Sequence, residues 1–205
     1  MKQNKYDVII CDLGNVLINF DHRIAVKKIL AATPKKEKEV YDLFFDSPLT
    51  ELYEEGKITP DEFFYGVKEF LMLDMGHDKF LAIWNEIFFE VPVNIKMHDF
   101  LRSKKPMHKL VMLSNINATH FEFLSKKMSI FDAFDKLVLS YEAGFRKPEP
   151  EIYRRALESI GAAPSKALYI DDRSDLIEAA QEQGIRGIVF DGESGFEKVT
   201  AELGA

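Results

Sequence analysis

The sequence predicts an α/β protein with a doubly wound parallel sheet and an inserted helical cap subdomain. From about Val93 onward, short apolar runs of strand type alternate with amphipathic helical stretches. This alternation is typical of a parallel sheet covered by helices. By contrast, residues 18–89 contain no strand-like run and are dense in aromatic residues at helical spacing. We therefore expect a helical insertion between the first strand and the rest of the sheet.

The first strand is predicted over Val8–Cys11, a continuous apolar run with β-branched residues. Such runs are typical of parallel strands that are covered on both faces. Asp12 follows directly, at the carboxyl end of the strand, where open α/β sheets bind their ligands. Gly14 and Asn15 are turn-forming residues, so a simple turn cap is a second interpretation of Asp12.

Four further strands and the helices between them complete the predicted sheet. Helices are expected in "EPEIYRRALESIGA", which ends near Gly161, and in "SDLIEAAQEQG", which ends at Gly184, because glycine commonly follows a helix C-terminus. The predicted strands are Lys109–Ser114, Lys136–Ser140, Ala167–Asp171 and Arg186–Phe190.

One helix of the inserted segment is predicted to begin at a helix-capping motif. Thr59, Pro60 and Glu62 form a capping box with proline at the first helical position. The aromatic residues of "DEFFYGVKEFL" and "FLAIWNEIFF" are interpreted as the small core of this insertion, and a sugar-stacking platform is the alternative. We expect a core domain of residues 1–17 and 91–205 and a cap of residues 18–90.

Composition excludes several functional classes. The 205-residue chain has a net charge of −7, which argues against a nucleic-acid or anionic-membrane surface. Its single cysteine, Cys11, cannot form an internal disulfide. Its apolar runs all fall short of the roughly 18 residues of a membrane span. We expect a cytoplasmic protein, and the sequence does not indicate its oligomeric state.

Polar residues follow the predicted strands, and a parallel sheet brings such strand ends to one edge. Carboxylates, a hydroxyl and a lysine at one edge suit a phosphate ester and a hard divalent cation. Taken singly, Ser114 could cap a helix, Lys147 could lie in solvent and Asp171-Asp172 could form a turn. The converging residues are Asp12, Ser114, Asn115, Lys147, Asp171 and Asp172.

Four segments carry a family resemblance. "CDLGNVLINFD", "MLSNIN", "GFRKPEPEIY" and "YIDDRSD" occur in this order, and with them the sequence resembles the haloacid dehalogenase (HAD) superfamily over nearly its whole length. It looks most like the branch of bacterial sugar-1-phosphate phosphatases with a helical cap, which includes α-D-glucose-1-phosphate phosphatase. The resemblance implies a Rossmann-like core of HAD type and a mobile cap.

The same resemblance implies roles for individual residues. Asp12 would be the nucleophile that forms an aspartyl-phosphate. Mg²⁺ would be held by Asp12, the carbonyl of Gly14 and Asp172, with Asp171 either a ligand or one water removed.

The phosphoryl group would be held by a second set of residues. Ser114 and the amide of Asn115 would bind its oxygens, and Lys147 would bridge the phosphate and the carboxylates as a fixed positive charge.

Two positions depart from the family pattern. The acid that usually stands two residues after the nucleophile is replaced by Gly14. The carboxylate or amide usually found four residues past Asp172 is replaced by Leu176, with Asp175 one residue earlier. Without an acid at position 14, we expect the rate to depend on the leaving group and to favour sugar 1-phosphates over 6-phosphates. Asp21 or a cap residue could instead supply the proton.

The leading hypothesis is a Mg²⁺-dependent phosphomonoesterase for a small phosphorylated metabolite, with a sugar phosphate as the expected substrate class. A 2-haloacid dehalogenase is an alternative, but it needs no metal and would leave Asp171-Asp172 without a purpose. A metal- or phosphate-binding regulatory module without turnover is the third. The five histidines show no metal-ligand spacing and are interpreted as surface or structural residues.

Overall fold

The computed structural model describes residues 4–45 and 47–204. Its strands are β1 (Val8–Cys11), β2 (Asn19–Phe20), β3 (Phe88–Phe89), β4 (Lys109–Ser114), β5 (Lys136–Leu139), β6 (Ala167–Asp171) and β7 (Arg186–Val189).

Helices separate and follow the strands of the sheet. No helix among these residues is long and apolar enough to cross a membrane. The helices are α1 (His22–Ile29), α2 (Glu37–Phe45), α3 (Pro48–Glu54), α4 (Pro60–Leu71), α5 (His77–Trp84), α6 (Pro92–Lys104), α7 (Ala118–Lys127), α8 (Ser140–Ala143), α9 (Pro150–Glu158), α10 (Ser174–Glu182) and α11 (Glu193–Leu203).

The main sheet has five parallel strands in the order β5-β4-β1-β6-β7. β1 lies at its centre, where Ile10 pairs with Val111 of β4 and with Tyr169 of β6. All four residues of β1 are buried, as the continuous apolar run predicted. The doubly wound parallel fold is therefore confirmed.

Successive residues of β1 point to opposite faces of the sheet, because side chains alternate along a strand. Ile9 and Cys11 pack with residues of α6, α7 and α11. Val8 and Ile10 pack with residues of α9 and α10. Each face thus has its own apolar layer, which explains why this strand tolerates no polar residue before Asp12.

The element boundaries differ from prediction by a residue at two places. β5 ends at Leu139 because Ser140 begins α8, and β7 ends at Val189. The predicted helix ends are confirmed, since Gly161 and Gly184 follow α9 and α10 with φ of 69° and 78°.

Helices α1–α5 bury a separate aromatic core. The capping box at Thr59 is present, and α4 begins at Pro60 as predicted. Most aromatic residues of this segment pack against one another rather than face solvent, which confirms the core interpretation for them. The largest buried side chains of this core are Phe44, Tyr53, Phe63, Phe80 and Trp84.

A short antiparallel pair, β2 with β3, was not predicted from the sequence. Asn19 pairs with Phe89 and Phe20 with Phe88. Two residues per strand are too few to show a period-two pattern. The pair joins the beginning and the end of the helical insertion. The division into a core of 1–17 and 91–205 and a cap of 18–90 stays a prediction.

Gly56, between α3 and α4, brings the helical insertion close to the sheet domain. Its φ is +66°, and a Cβ atom there would lie 2.0 Å from the backbone oxygen of Tyr141 in α8. Next to it, the Tyr53 hydroxyl hydrogen-bonds Thr119 of α7. Gly56 therefore meets both a conformational and a steric requirement.

Gly56→Ala is expected to destabilise the protein more than Gly144→Ala. Both glycines have positive φ, but a Cβ atom at Gly144 would meet no other atom within 4 Å. The left-handed conformation should cost each variant about 1–2 kcal/mol, and overpacking should cost Gly56→Ala roughly 1–3 kcal/mol more. Urea unfolding of both variants measures this, and equal losses would contradict the close approach.

Candidate active site

The carboxyl ends of β1, β4 and β6 meet at one edge of the sheet and carry the predicted polar residues. Asp12 follows β1, Ser114 ends β4 and Asp171 ends β6. Carboxylate oxygens of Asp12, Asp171 and Asp172 all lie within 4.8 Å of one another. The structure thus brings together residues that are 160 positions apart in the sequence.

Lys147 lies between two of these carboxylates. Its Nζ atom is 2.8 Å from Asp12 Oδ1 and 2.7 Å from Asp171 Oδ2. The residue is only 3% exposed, so the interpretation of Lys147 as a solvated surface lysine is wrong. A fixed positive charge is therefore built into the end of the sheet.

The buried charges shift one another's protonation. Burial alone would lower the pKa of Lys147, but the carboxylates of Asp12 and Asp171 outweigh it and raise that pKa. Burial raises the pKa of Asp12 to about 7, with Asp171 and Asp172 adding to the rise and Lys147 opposing it. The cluster holds more negative than positive charge, which is the condition that favours a bound cation.

The two acidic residues after β6 have different surroundings. Asp171 is fully buried, and its carboxylate accepts hydrogen bonds from Lys147, from the Tyr169 hydroxyl and from the Arg173 backbone N–H. Asp172 is half-buried, and its Oδ2 accepts a hydrogen bond of 2.9 Å from Asn15. Burial raises the pKa of Asp172, and the Asn15 hydrogen bond opposes that rise.

Asn115 has a structural function that its sequence position did not predict. Its side-chain amide donates to the Lys147 carbonyl at 2.9 Å, and its side-chain oxygen accepts from the Lys147 N–H at 2.7 Å. The Lys147–Pro148 peptide bond is cis. Asn115 therefore fixes the backbone from which the buried lysine extends, a contact that sequence spacing could not reveal.

Ser114 is buried at the end of β4 and does not cap the next helix. Asn117 is the N-cap of α7, where its side chain accepts a hydrogen bond of 3.0 Å from the His120 N–H. The helix-cap interpretation of Ser114 is therefore wrong.

The aromatic ring of Phe20 lies where a side chain at position 14 would be. A Cβ atom there would lie 2.8 Å from Phe20 Cε1 and 3.8 Å from Asp12 Oδ2. Asn15 next to it has φ of 54°, which turns the chain sharply after the strand. Phe20, from β2, thus occupies the space beside Asp12 on this side.

The other candidates for a displaced acid or ligand lie outside the carboxylate cluster, although Asp21 lines the same cavity. Asp21 is the N-cap of α1 and accepts a hydrogen bond of 2.9 Å from the Arg23 N–H. Asp175 is exposed and pairs with Arg173 at 2.5 Å. Leu176 is buried. Asp21 and Asp175 are absent from the carboxylate cluster of the described residues.

A cavity of about 650 Å³ opens over Asp12. This volume is in the range of small-molecule sites. The sheet edge forms its floor, and the helical insertion forms its walls. The wall residues include Phe20, His22, Tyr41, Phe44, Phe45, Thr50, Glu54, Trp84, Phe88 and Phe89.

Two histidines in the cavity wall are neutral near pH 7. Burial lowers the pKa of His22 to about 4 and that of His120 to about 3. His120 is 3.1 Å from the Trp84 carbonyl through Nε2, which agrees with the predicted structural role. No sequence signal placed both at the cavity, because they come from different elements, α1 and α7.

The carboxylate cluster fits a hard divalent cation. Its oxygens come from Asp12, Asp171 and Asp172, two of which also line the cavity. Carboxylate and carbonyl oxygens are the ligands that Mg²⁺ and Ca²⁺ take in proteins. The site can therefore hold a cation beside Lys147, with room for a small anion above it.

Two curated enzymes are similar to this chain over most of its length. D-ribitol-5-phosphate phosphatase of Bacteroides thetaiotaomicron is 28% identical over 182 residues, which cover 86% of this chain and 87% of that enzyme. A sesquiterpene phosphatase of Aspergillus oryzae is 24% identical over 188 residues, which cover 89% of each chain.

A HAD family enzyme of B. thetaiotaomicron, solved in complex with magnesium and inorganic phosphate, has a similar structure. Its TM-score is 0.81 at 28% identity, over 92% of this chain and 96% of that one. A family profile described as "haloacid dehalogenase-like hydrolase" matches residues 6–184. The chain is therefore a member of the haloacid dehalogenase-like hydrolase family.

Proposed function

We propose that this hydrolase is a Mg²⁺-dependent phosphomonoesterase for a small phosphorylated metabolite, with Asp12 as its nucleophile. The observation that carries the proposal is the buried Lys147, held within 2.8 Å of both Asp12 and Asp171 and beside Asp172. A buried cation shared by carboxylates at the floor of a cavity suits the charge of a phosphoryl group. The similarity to D-ribitol-5-phosphate phosphatase supports this activity.

In the proposed reaction, an Asp12 carboxylate oxygen attacks phosphorus and forms an aspartyl-phosphate, which water then hydrolyses. Lys147 hydrogen-bonds Asp12 Oδ1, so it holds the carboxylate in one rotamer and favours its anionic form. The pKa of Asp12 is raised chiefly by burial. Lys147 therefore opposes the protonation of the nucleophile that burial favours.

Asp12, the Gly14 carbonyl and Asp172 are the proposed holders of Mg²⁺. The ion would neutralise charge on the phosphoryl oxygens. Asp171 is proposed as a positioning residue for Lys147, because its carboxylate already accepts hydrogen bonds from Lys147, Tyr169 and the Arg173 N–H. Asp171 would then hold Lys147 rather than contact the metal directly.

Ser114 and the backbone amide of Asn115 are proposed to bind the phosphoryl oxygens. Both residues line the cavity at the end of β4, next to Asp12. The Asn115 side chain holds the Lys147 backbone, so its amide and the lysine are positioned as one unit.

A sugar phosphate is the proposed substrate class. The cavity combines aromatic walls with polar groups such as Thr50, Asn117 and Arg146, and sugars present both apolar faces and hydroxyls. No nucleic-acid or membrane partner is proposed, and the cytoplasmic location stays a prediction.

One assay separates this proposal from its alternatives. Phosphate release from a panel of small phosphate esters, measured with Mg²⁺ and with EDTA, should show metal-dependent turnover. Chloroacetate dehalogenation, run beside it, should be absent. Dehalogenation without metal would favour the dehalogenase, and stoichiometric phosphate binding without turnover would favour the regulatory module.

Asp12→Asn should reduce phosphatase activity by at least ~10³-fold while the fold remains intact, because the amide keeps the shape but loses the anionic nucleophile. Steady-state kinetics with a circular dichroism control measures this. More than a tenth of the wild-type rate would exclude the aspartyl-phosphate mechanism.

Asp172→Ala should raise the Mg²⁺ concentration needed for half-maximal activity, because a hard cation loses one of its few protein ligands. Excess Mg²⁺ should restore part of the rate. Asp175→Ala is the matched control, since Asp175 is exposed and pairs only locally with Arg173. If the two variants show the same Mg²⁺ dependence, the metal assignment of Asp172 is wrong.

Lys147→Ala should lower the rate by roughly 10²–10³-fold, as for other preorganised charges at a developing anion. Loss of this lysine also leaves Asp12 and Asp171 buried without their cation, so a larger fraction of Asp12 should be protonated. Arginine is not expected to rescue the variant, because its planar fork differs from a compact ammonium. An activity within threefold of wild type, at matched folded fraction, would contradict the role of Lys147.

A further inference from the structure

The cap contributes a carboxyl group to the cavity that the mechanism above does not use. Glu54 is the last residue of α3 and lines the cavity together with Asp12, Lys147 and Asp172. Its side chain is 23% exposed. Its neighbour Tyr53 is buried and hydrogen-bonds Thr119, so this end of α3 is held against α7.

Arg146 connects Glu54 to the loop that carries the buried lysine. Arg146 Nη2 lies 3.3 Å from Glu54 Oε2, and Nη1 lies 2.6 Å from Glu51 Oε1. The next residue is Lys147, whose Nζ is 2.8 Å from Asp12 Oδ1. One short segment of chain therefore reaches both the cap carboxyl and the nucleophile.

Four carboxyl groups line the described part of the cavity: those of Asp12, Asp21, Glu54 and Asp172. Asp12 is the proposed nucleophile, and Asp172 is a proposed metal ligand. Asp21 is engaged as the N-cap of α1. Glu54 is the one of the four that has neither of those roles and is not a helix cap.

The surroundings of Glu54 raise the pKa of its carboxyl group. Burial raises the pKa of Glu54, and the neighbouring carboxylates of Glu51 and Glu55 raise it further. The cations Arg146 and Lys147 oppose this rise without cancelling it. A carboxyl group with a raised pKa can act as both acid and base near neutral pH.

We propose that Glu54 is the general acid and base of this enzyme, in place of the aspartate that is absent at position 14. The assignment rests on the proposed phosphatase function. Glu54 lines the same cavity as Asp12, whereas the space beside Gly14 is filled by the Phe20 ring.

Glu54 would transfer one proton in each of the two steps of the reaction. When Asp12 attacks, the Asp12–phosphorus bond forms, the bond to the leaving oxygen breaks, and the Glu54 carboxylic acid gives that oxygen its proton. The Glu54 carboxylate then accepts a proton from water. The water oxygen bonds to phosphorus, the Asp12–phosphorus bond breaks, and inorganic phosphate and the Asp12 carboxylate are released.

A proton supplied by Glu54 would weaken the leaving-group dependence that the sequence predicts. The wild-type rate should then depend only weakly on leaving-group acidity. Glu54→Gln should lower kcat/KM for an alkyl phosphate by about 10²–10⁴-fold, the usual contribution of general acid–base catalysis. The loss should be much smaller for p-nitrophenyl phosphate, because p-nitrophenolate leaves without a proton.

The experiment compares wild type, Glu54→Gln and Glu51→Gln on a series of substituted aryl and alkyl phosphates. Glu51→Gln is the matched control, because Glu51 also pairs with Arg146 but does not line the cavity. Glu54→Gln should steepen the leaving-group dependence and release p-nitrophenolate in a burst, since hydrolysis of the aspartyl-phosphate loses its base. Glu54→Asp should keep the weak dependence at a reduced rate.

The assignment would be overturned by equal losses of Glu54→Gln on alkyl and aryl phosphates without a burst. It would also be overturned by an equal effect of Glu51→Gln, which would indicate a role of the Arg146 ion pairs alone. A fully active Asp12→Asn variant would instead overturn the proposed function, and the Glu54 assignment with it.

Discussion

The structure of the active site depends on one buried cation. Lys147 is almost fully removed from solvent and contacts the carboxylates of Asp12 and Asp171. Removing one partner of such a buried charge cluster typically costs about 3–5 kcal/mol, because the remaining charge stays unpaired. Tyr169 and Asn115 hold the two sides of this contact, through the Asp171 carboxylate and the Lys147 backbone. The ion pair of Lys147 and Asp171 is therefore held by hydrogen bonds on both of its sides.

The position of Asp12 follows from the sheet. β1 is the central strand, and its apolar layers face α6, α7 and α11 on one side and α9 and α10 on the other. Because apolar layers cover both faces of β1, the strand can carry a charge only at its end. Asp12 therefore lies where β4 and β6 also end. The packing that buries β1 thus also brings the polar residues of the site together.

The cap has two separate functions in this arrangement. Its aromatic core, around Trp84 and Phe63, lets a segment of short helices fold as a layer. Its remaining surface forms the cavity wall, with the exposed ring of Phe45 and the carboxyl of Glu54. Phe20 connects the two functions, since it packs on the cap core and fills the space beside Gly14. Glycine at position 14, in place of the usual acid, thus leaves room for the Phe20 ring.

The amino-acid sequence predicted the five strands of the main sheet, their polar ends and the family. A buried parallel strand needs an uninterrupted apolar run, and its first polar residue marks its end. The Thr59 capping box could be predicted as well, since that signal is local. The tertiary structure decided which side chains contact one another. The β2–β3 pair, the Asn115 clamp on Lys147, the Asn117 cap and the Glu54–Arg146 contact join residues by side-chain direction and packing. These depend on contacts between distant segments, which no periodicity in a single chain records.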